Sequence, residues 1–405
     1  MNFDETLNYI HSLGNSGRPA GLERITKLLS ALGNPQDSFR AVHIAGTNGK
    51  GSVSAMLSSV FRESGLKTGL FISPYITDFC ERIQIGGVPI AKEDLIRLSS
   101  RVKGTGIDVG EFEFITAVGF LHFAENGCDI AVIETGLGGR MDATNTLKNV
   151  DVAVITKIGL DHTALLGDTI EKIAEEKCGI VHHFKTVSAP AGDEVKRVIQ
   201  KHCKNAIFPD LTALKIKKSD LSGSTYIYKG KEYTISLPGI HQIENALVAA
   251  ETVTAGGYHI EYDILYSALK KTTFPARLEV LQKSPPIVLD GAHNADGAAA
   301  LAKFMKPYTG KITAIIGMMA DKDFEQVCAV TLPLCKNAVA VTVPNLPRAL
   351  SAEVLCRTAQ KYCECSPAES IVAALALAKE KAGENPIFIF GSLYLASAVK
   401  IYFDN

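Results

Sequence analysis

HIAGTNGKGS, residues 43–52, lies between a short apolar run, RAVHIAG, and SVSAMLSSVFRES, in which Val53, Met56, Leu57, Val60 and Phe61 fall on one helical face. LKTGLFIS follows as a second apolar run, so the stretch predicts a βαβ unit with a glycine loop at its first turn. The loop departs from GxxxxGK[ST]: Ile44 stands where the first glycine would fall, and Gly51 replaces the hydroxyl after Lys50. It still meets what phosphate binding requires. Gly46, Gly49 and Gly51 let backbone N–H groups converge, a helix expected over 52–64 brings its N-terminus behind them, and Lys50 supplies a cation. Glycine turns between strand and helix are also common structural devices; the buried strand before and the amphipathic helix after favour the nucleotide reading.

The same alternation continues outward. DIAVIETG (129–136) and DVAVITKIG (151–159) read as buried strands, with helices at about 112–126 and 169–179, and a mainly parallel sheet covered by helices is the expected outcome. Between 208 and 238 the text turns to STYIYKGKEYTISL, broken at Lys229-Gly230, which predicts a small antiparallel hairpin. Helices at 242–255 and near 261–271 precede the proline-rich TTFPARLEVLQKSPPIV. Strands at IVLDG, KITAIIGMM, AVAVTVP and PIFIFGS then alternate with helices beginning near Ala295, Asp323, Ser351, Pro367 and Leu393. The expected fold class is α/β: an N-terminal P-loop ATPase domain over 1–274, a linker at 275–280, and a smaller Rossmann-like domain over 281–405.

Length alone, 405 residues, asks for two or three domains. A hydrophobic content of 46% with 21% charged residues suits a folded soluble chain, and no apolar run is long enough to cross a bilayer. MNFDETLNYI lacks the features of a secretory signal, and nine cysteines without a framework spacing agree with reduced thiols, so a cytoplasmic location is expected. Cys363 and Cys365 do not form CxxC, and zinc or redox chemistry is not indicated. With 42 basic against 43 acidic residues, a nucleic-acid partner is disfavoured.

GTNGKGS resembles the variant loop of the Mur ligase superfamily, with the glycine after lysine seen in its folate branch, the folylpolyglutamate synthase and dihydrofolate synthase family of the bacterial bifunctional type. PAGLERITKLL (19–29), FISPYITDFCERI (71–83), ETGLGGRMDATN (134–145), GLDH (159–162), EKCGI (176–180), PGIHQIENA (238–246), PARLE (275–279), LDGAHN (289–294), DKD (321–323) and FGSLY (390–394) carry the same resemblance through nearly the whole chain. It implies an ATP-dependent ligase, working as a monomer with two Mg²⁺ ions, that adds L-glutamate to tetrahydrofolate or to dihydropteroate through an acyl phosphate. Gly46, Thr47, Asn48, Gly49, Lys50, Gly51 and Ser52 would bind ATP, joined by Asn245, Arg277 and Asp290, with ATP between the domains.

Taken one by one, the remaining residues have bland alternatives. Glu134 ends a strand beside the nucleotide strand, where a carboxylate can hold Mg²⁺ or simply be a solvated strand-end acid. His162 is a single histidine past the next strand. The resemblance implies that Ser73, Glu134 and His162 are magnesium ligands. Lys177 continues the stripe of Ile170, Ile173 and Ala174 and so turns inward, where burial disfavours its charge and a neutral amine can take up carbon dioxide; the alternative is a lysine snorkelling from a helix end. The family's carbamylated lysine lies at this position, and Lys50, Glu134, His162 and Lys177 form the implied catalytic set. Gly21, Leu22, Asp142 and Ala143 match folate-site segments, while His293 and Ser392 match glutamate contacts; His293-Asn294 also reads as a helix N-cap pair. Two departures stand out: Tyr75 replaces the usual histidine, and Ala276 replaces glycine in PARLE, which matters if that position needs a positive φ.

Three rival readings remain. A peptidoglycan precursor ligase of the same superfamily is opposed by GKGS and the ERI and DATN segments. A dinucleotide oxidoreductase using GLGGRM lacks the last glycine, where Met141 stands. A non-catalytic nucleotide-binding module is the third.

Overall fold

The computed structural model describes residues 1–14 and 21–404, so Pro19 and Ala20 of the PAGLER segment lie outside the described residues. The chain groups into two compact units, Met1–Leu214 with Glu244–Thr272, and Lys215–Ile243 with Thr273–Asn405.

The first unit is built on seven strands: β1 (Arg40–Ala45), β2 (Thr68–Phe71), β3 (Ile83–Ile85), β4 (Val88–Pro89), β5 (Ile130–Glu134), β6 (Val150–Ile155) and β7 (Lys185–Ser188). Their order is β4-β3-β2-β5-β1-β6-β7. Pairings from β2 through β7 are parallel, whereas β3 and β4 extend the edge in antiparallel fashion. β1 and β5 are buried along almost their whole length, as strands covered on both faces must be. From β1 the chain crosses to one side and from β5 to the other. The carboxyl ends of β2, β5, β1 and β6 therefore border the crevice where open α/β sheets receive ligands.

On one face lies the helix Lys50–Glu63, whose Val53, Met56, Leu57, Val60 and Phe61 are fully buried as the periodicity predicts. It begins two residues earlier than expected. The helix Glu111–Glu125 is buried nearly all round, and its Phe114, Phe120 and Phe123 belong to the main apolar core with Ile25, Leu28 and Phe71.

In the second unit the predicted hairpin is a three-stranded antiparallel sheet, β8 (Leu214–Asp220), β9 (Gly223–Tyr228) and β10 (Lys231–Ile235). Its extra strand, β8, is exposed and lysine-rich, which hides it from a reading based on hydrophobic alternation. Residues 215–243 group with the C-terminal residues, whereas the sequence counted them within 1–274; Leu221 packs on the C-terminal core.

The larger sheet there runs β11-β12-β16-β13-β14-β15, with β11 (Glu279–Lys283), β12 (Pro286–Leu289), β13 (Ile312–Ile316), β14 (Cys335–Val341), β15 (Glu364–Ala368) and β16 (Ile387–Phe390). All pairings are parallel except that of β11 with β12. β11 and β15 are edge strands that the sequence reading missed. Pro367 does not begin a helix: it lies within β15, an edge strand being where a sheet tolerates proline, and the helix starts at Ile371 behind the N-cap Ser370.

Ala276 has φ 55°, so the glycine-favouring backbone is present at this non-glycine position. Its methyl is fully buried, and its N–H donates to Glu279 Oε2 at 2.9 Å. Relief of about 1–2 kcal/mol of left-handed strain is opposed by about 0.8 kcal/mol for a lost buried methyl and about 0.5–1 kcal/mol of added unfolded-state freedom. Ala276→Gly is therefore expected to change unfolding free energy by less than about 1 kcal/mol in denaturant titration, which explains how alanine is accommodated.

Candidate active site

Gly46 leaves β1 against β6 with no room for a side chain: a Cβ there would lie 1.8 Å from Thr156 Oγ1. The loop is then fastened to the chain that leaves β6. Thr47 N and Asn48 N both donate to the Lys157 carbonyl, at 2.9 and 3.1 Å, and the Thr47 hydroxyl reaches the Gly159 carbonyl at 3.0 Å. Those two amides are spent within the protein, so they form the loop rather than a phosphate cradle. The cradle falls to the next residues. Gly49, with φ 92°, is the N-cap of the helix Lys50–Glu63 and has no side chain to bond its first turn, so the amides of Lys50, Gly51 and Ser52 at this helix N-terminus are the candidate donors for an anion. Asn245 packs on this turn, its Oδ1 2.5 Å from where a Gly49 Cβ would be.

Lys50 Nζ lies 3.9 Å from Glu134 Oε1, and both side chains are largely buried. Glu134 Oε2 accepts from Ser73 N at 3.1 Å, so β5, β2 and the glycine loop meet at one carboxylate. Lys177 is 4% exposed at the end of the helix Ile170–Lys177, and its Nζ donates to the Gly46 carbonyl at 2.8 Å. Burial, reinforced by the nearby Lys50 charge, lowers its pKa from 10.5 to about 7, against opposing pulls from Asp161 and Asp142. The inward-turning reading of Lys177 holds, and the snorkelling alternative does not.

His162 has φ 50° and caps the short helix Thr163–Leu166, with its side chain nearly half exposed and Nε2 3.9 Å from Asp161 Oδ1. Asp161, largely buried and close enough to act on Lys177, is a residue the sequence reading passed over; its signal is the acidic position inside GLDH. Among the described residues no group of three His, Cys, Asp or Glu side chains is arranged to hold a metal ion. The donor chemistry still suits Mg²⁺, which binds through one or two oxygens while keeping waters and phosphate: Glu134 supplies a buried carboxylate beside a lysine and the serine predicted as a ligand.

Asp142 is buried, and both its oxygens are engaged: Oδ2 by Gly136 N and Leu137 N, each at 2.9 Å, and Oδ1 by Thr144 N and the Thr144 hydroxyl. Ala143 is buried beside it, while Leu22 borders an open hollow of about 740 Å³ with Thr26, Ala31 and Ile107, preceded by Gly21. Tyr75 packs against Phe79, ring centres 5.5 Å apart, with the Arg82 guanidinium over both rings.

In the second unit, Asp290 Oδ2 accepts from Leu278 N at 3.0 Å and Oδ1 from Ala292 N at 2.8 Å; burial pushes its pKa up and Arg277 opposes this. Asn294 caps the helix Ala295–Met305 through Gly297 N, as the capping alternative predicted, and His293 Nδ1 sits 2.8 Å from the Gly291 carbonyl. Ser392 Oγ accepts from Tyr394 N at 3.0 Å. Asp290, His293 and Ser392 follow the carboxyl ends of the neighbouring strands β12 and β16. No helix among the described residues is long and apolar enough to cross a membrane.

Two family models match: the Mur ligase middle domain over residues 44–253 and the Mur ligase glutamate ligase domain over 276–393. The dihydrofolate synthase/folylpolyglutamate synthase of Bacillus subtilis is 35% identical, covering 98% of this chain and 98% of the relative. Folylpolyglutamate synthase of Mycobacterium tuberculosis, solved with ADP and AMPPCP, superposes with TM-score 0.89 at 29% identity over 100% of this chain and 99% of that one. E. coli FolC in complex with DHPP and ADP gives TM-score 0.89 at 26% identity, covering 100% and 98%.

Two outcomes follow from the geometry. Gly49→Ala, which needs φ 92° and a methyl in the space of Asn245, is expected to weaken nucleotide binding measured by calorimetry by at least about tenfold. Because Lys177 titrates near 7 when folded and at 10.5 when unfolded, its burial penalty is full below about pH 7 and fades as pH rises toward 10.5. The wild type should gain stability relative to Lys177→Met across that range in thermal melts at stepped pH.

Proposed function

The chain belongs to the folylpolyglutamate synthase and dihydrofolate synthase family of Mur ligases, and on that premise we propose that it couples ATP cleavage to addition of L-glutamate to a reduced folate, to dihydropteroate, or to both. The observation that carries this reading is the helix N-terminus at Lys50–Ser52, entered from Gly49, with Lys50, Glu134 and the buried Lys177 amine gathered around the same loop.

A carboxylate does not exchange oxygen for an amine at neutral pH. Phosphorylating it with ATP gives an acyl phosphate, whose phosphate leaves when the glutamate amine attacks. The first-turn amides and Lys50 take up charge on the transferring phosphoryl group without having to reorganise, because the loop is already fastened to Lys157 and Gly159. Asn245 packs against the same turn at Gly49. Ser73, Glu134, His162 and a carbamylated Lys177 would hold Mg²⁺, which when bound supplies charge neutralisation to the phosphates and the accepting carboxylate. The Lys177 amine is suited to carbamylation: near pH 7 it is substantially neutral, and addition of carbon dioxide forms an N–C bond with release of one proton. Arg277 and Asp290 are assigned to the nucleotide, and His293 and Ser392 to glutamate. Residues 275–280 remain the proposed linker, and a cytoplasmic monomer the proposed state.

The test is release of ADP with glutamate and, separately, dihydropteroate or a reduced folate. Lys50→Ala and Glu134→Ala should each lower turnover by at least about a hundredfold with unchanged far-UV circular dichroism. Unchanged turnover in both variants removes the site assignment, and turnover with a UDP-linked muramyl peptide alone points to the peptidoglycan branch.

A further inference from the structure

Beneath the loop that follows β5 runs a buried polar chain in which His43 and Thr144 have no place in the chemistry above. His43, on β1 three residues before Gly46, is 1% exposed, and its Nε2 lies 2.8 Å from Thr144 Oγ1. Thr144 is fully buried and donates its hydroxyl proton to Asp142 Oδ1 at 2.5 Å. A hydroxyl has one proton, so Thr144 Oγ1 accepts from His43, which fixes the tautomer with hydrogen on Nε2. Burial lowers the imidazole pKa to about 3, with His182 adding to the effect, so the ring stays neutral. The far side of the Asp142 carboxylate grips the amides of Gly136 and Leu137, at the start of the loop.

That loop supports the turn behind Lys177. A Cβ on Gly139 would lie 2.7 Å from the Lys177 carbonyl, and Arg140 N donates to the Glu176 carbonyl at 2.9 Å. Lys177 in turn donates to Gly46. One end of this path lies on β1 at His43, and the other reaches the carbonyl of Gly46, the residue that follows β1. Thr47 and Asn48 of the glycine loop are fastened separately, to Lys157 and Gly159, and Asn245 packs beside Gly49.

We propose that His43 and Thr144 are positioning residues for the acceptor side of the reaction: through Asp142 they hold the 136–142 loop, and through it the turn that presents Lys177. Asp142 on this account shapes the acceptor site from behind, its carboxylate already engaged by four donors. The proposal rests on the ligase reading above, in which Asp142 and Ala143 match folate-site segments and a carbamylated Lys177 would be among the residues holding Mg²⁺ for the accepting carboxylate.

Thr144→Val keeps the shape and removes the hydroxyl; Thr144→Ser keeps the hydroxyl. With dihydropteroate or a reduced folate as acceptor, Thr144→Val should raise the acceptor KM by about tenfold and leave the ATP KM within about twofold, with Thr144→Ser close to wild type. Equal shifts in both KM values, no shift, or a serine variant as impaired as valine overturns the proposal. If the wild type itself ligates neither acceptor, the ligase reading fails, and hydrogen exchange still decides the path: amides of 136–142 and 175–180 should exchange faster in Thr144→Val while those of 46–52 do not. Should the valine variant not fold, His43→Gln, which retains a donor near Nε2, is compared with His43→Leu; equal kinetics and exchange in the two overturn the idea.

Discussion

The approach of Gly46 to Thr156 is the constraint from which the site of the first unit is assembled. With no side chain at 46, β1 and the segment leaving β6 come close enough for the Lys157 carbonyl to take two loop amides. The loop then enters the helix at Gly49, and the Gly46 carbonyl receives the Lys177 amine. Any residue larger than glycine at 46 would separate these contacts together. Close packing thus does the work that a longer glycine loop performs in other phosphate-binding proteins.

Lys177 illustrates how an unfavourable burial is held in place. Its amine has a carbonyl partner and two carboxylates nearby, but these do not cancel the loss of hydration, and the proton is held more loosely than in water. Such a group persists because the helix end is locked by Gly139 and Arg140 from one side and by the apolar packing of Ile173 and Ala174 from the other. A lysine so confined is a cost to stability of the kind that reactive sites accept.

Much of this was legible beforehand, for reasons that differ by residue. The periodic stripe that buries Val53, Met56, Leu57, Val60 and Phe61 announced its helix, and the same periodicity turned Lys177 inward. Strands that are apolar on both faces were evident, whereas β8 and β15 were not, because an exposed edge strand has no core side to declare in its composition. The role of Thr47 and Asn48 was opaque for another reason: amides carry no letter in a sequence, and where they donate depends on a carbonyl more than a hundred residues away. The His43–Thr144–Asp142 path was hidden in the same way. Its members belong to two motifs that the pairing of β1 with β5 and β6 brings side by side.

Pro367 has a bearing on how copies of this molecule behave toward each other. A strand at the border of a sheet offers a ladder of unused amides to any extended segment that drifts past, and a pyrrolidine ring strikes one rung from that ladder. A border strand interrupted in this way is a poorer template for strand-by-strand accretion than one with every amide in place.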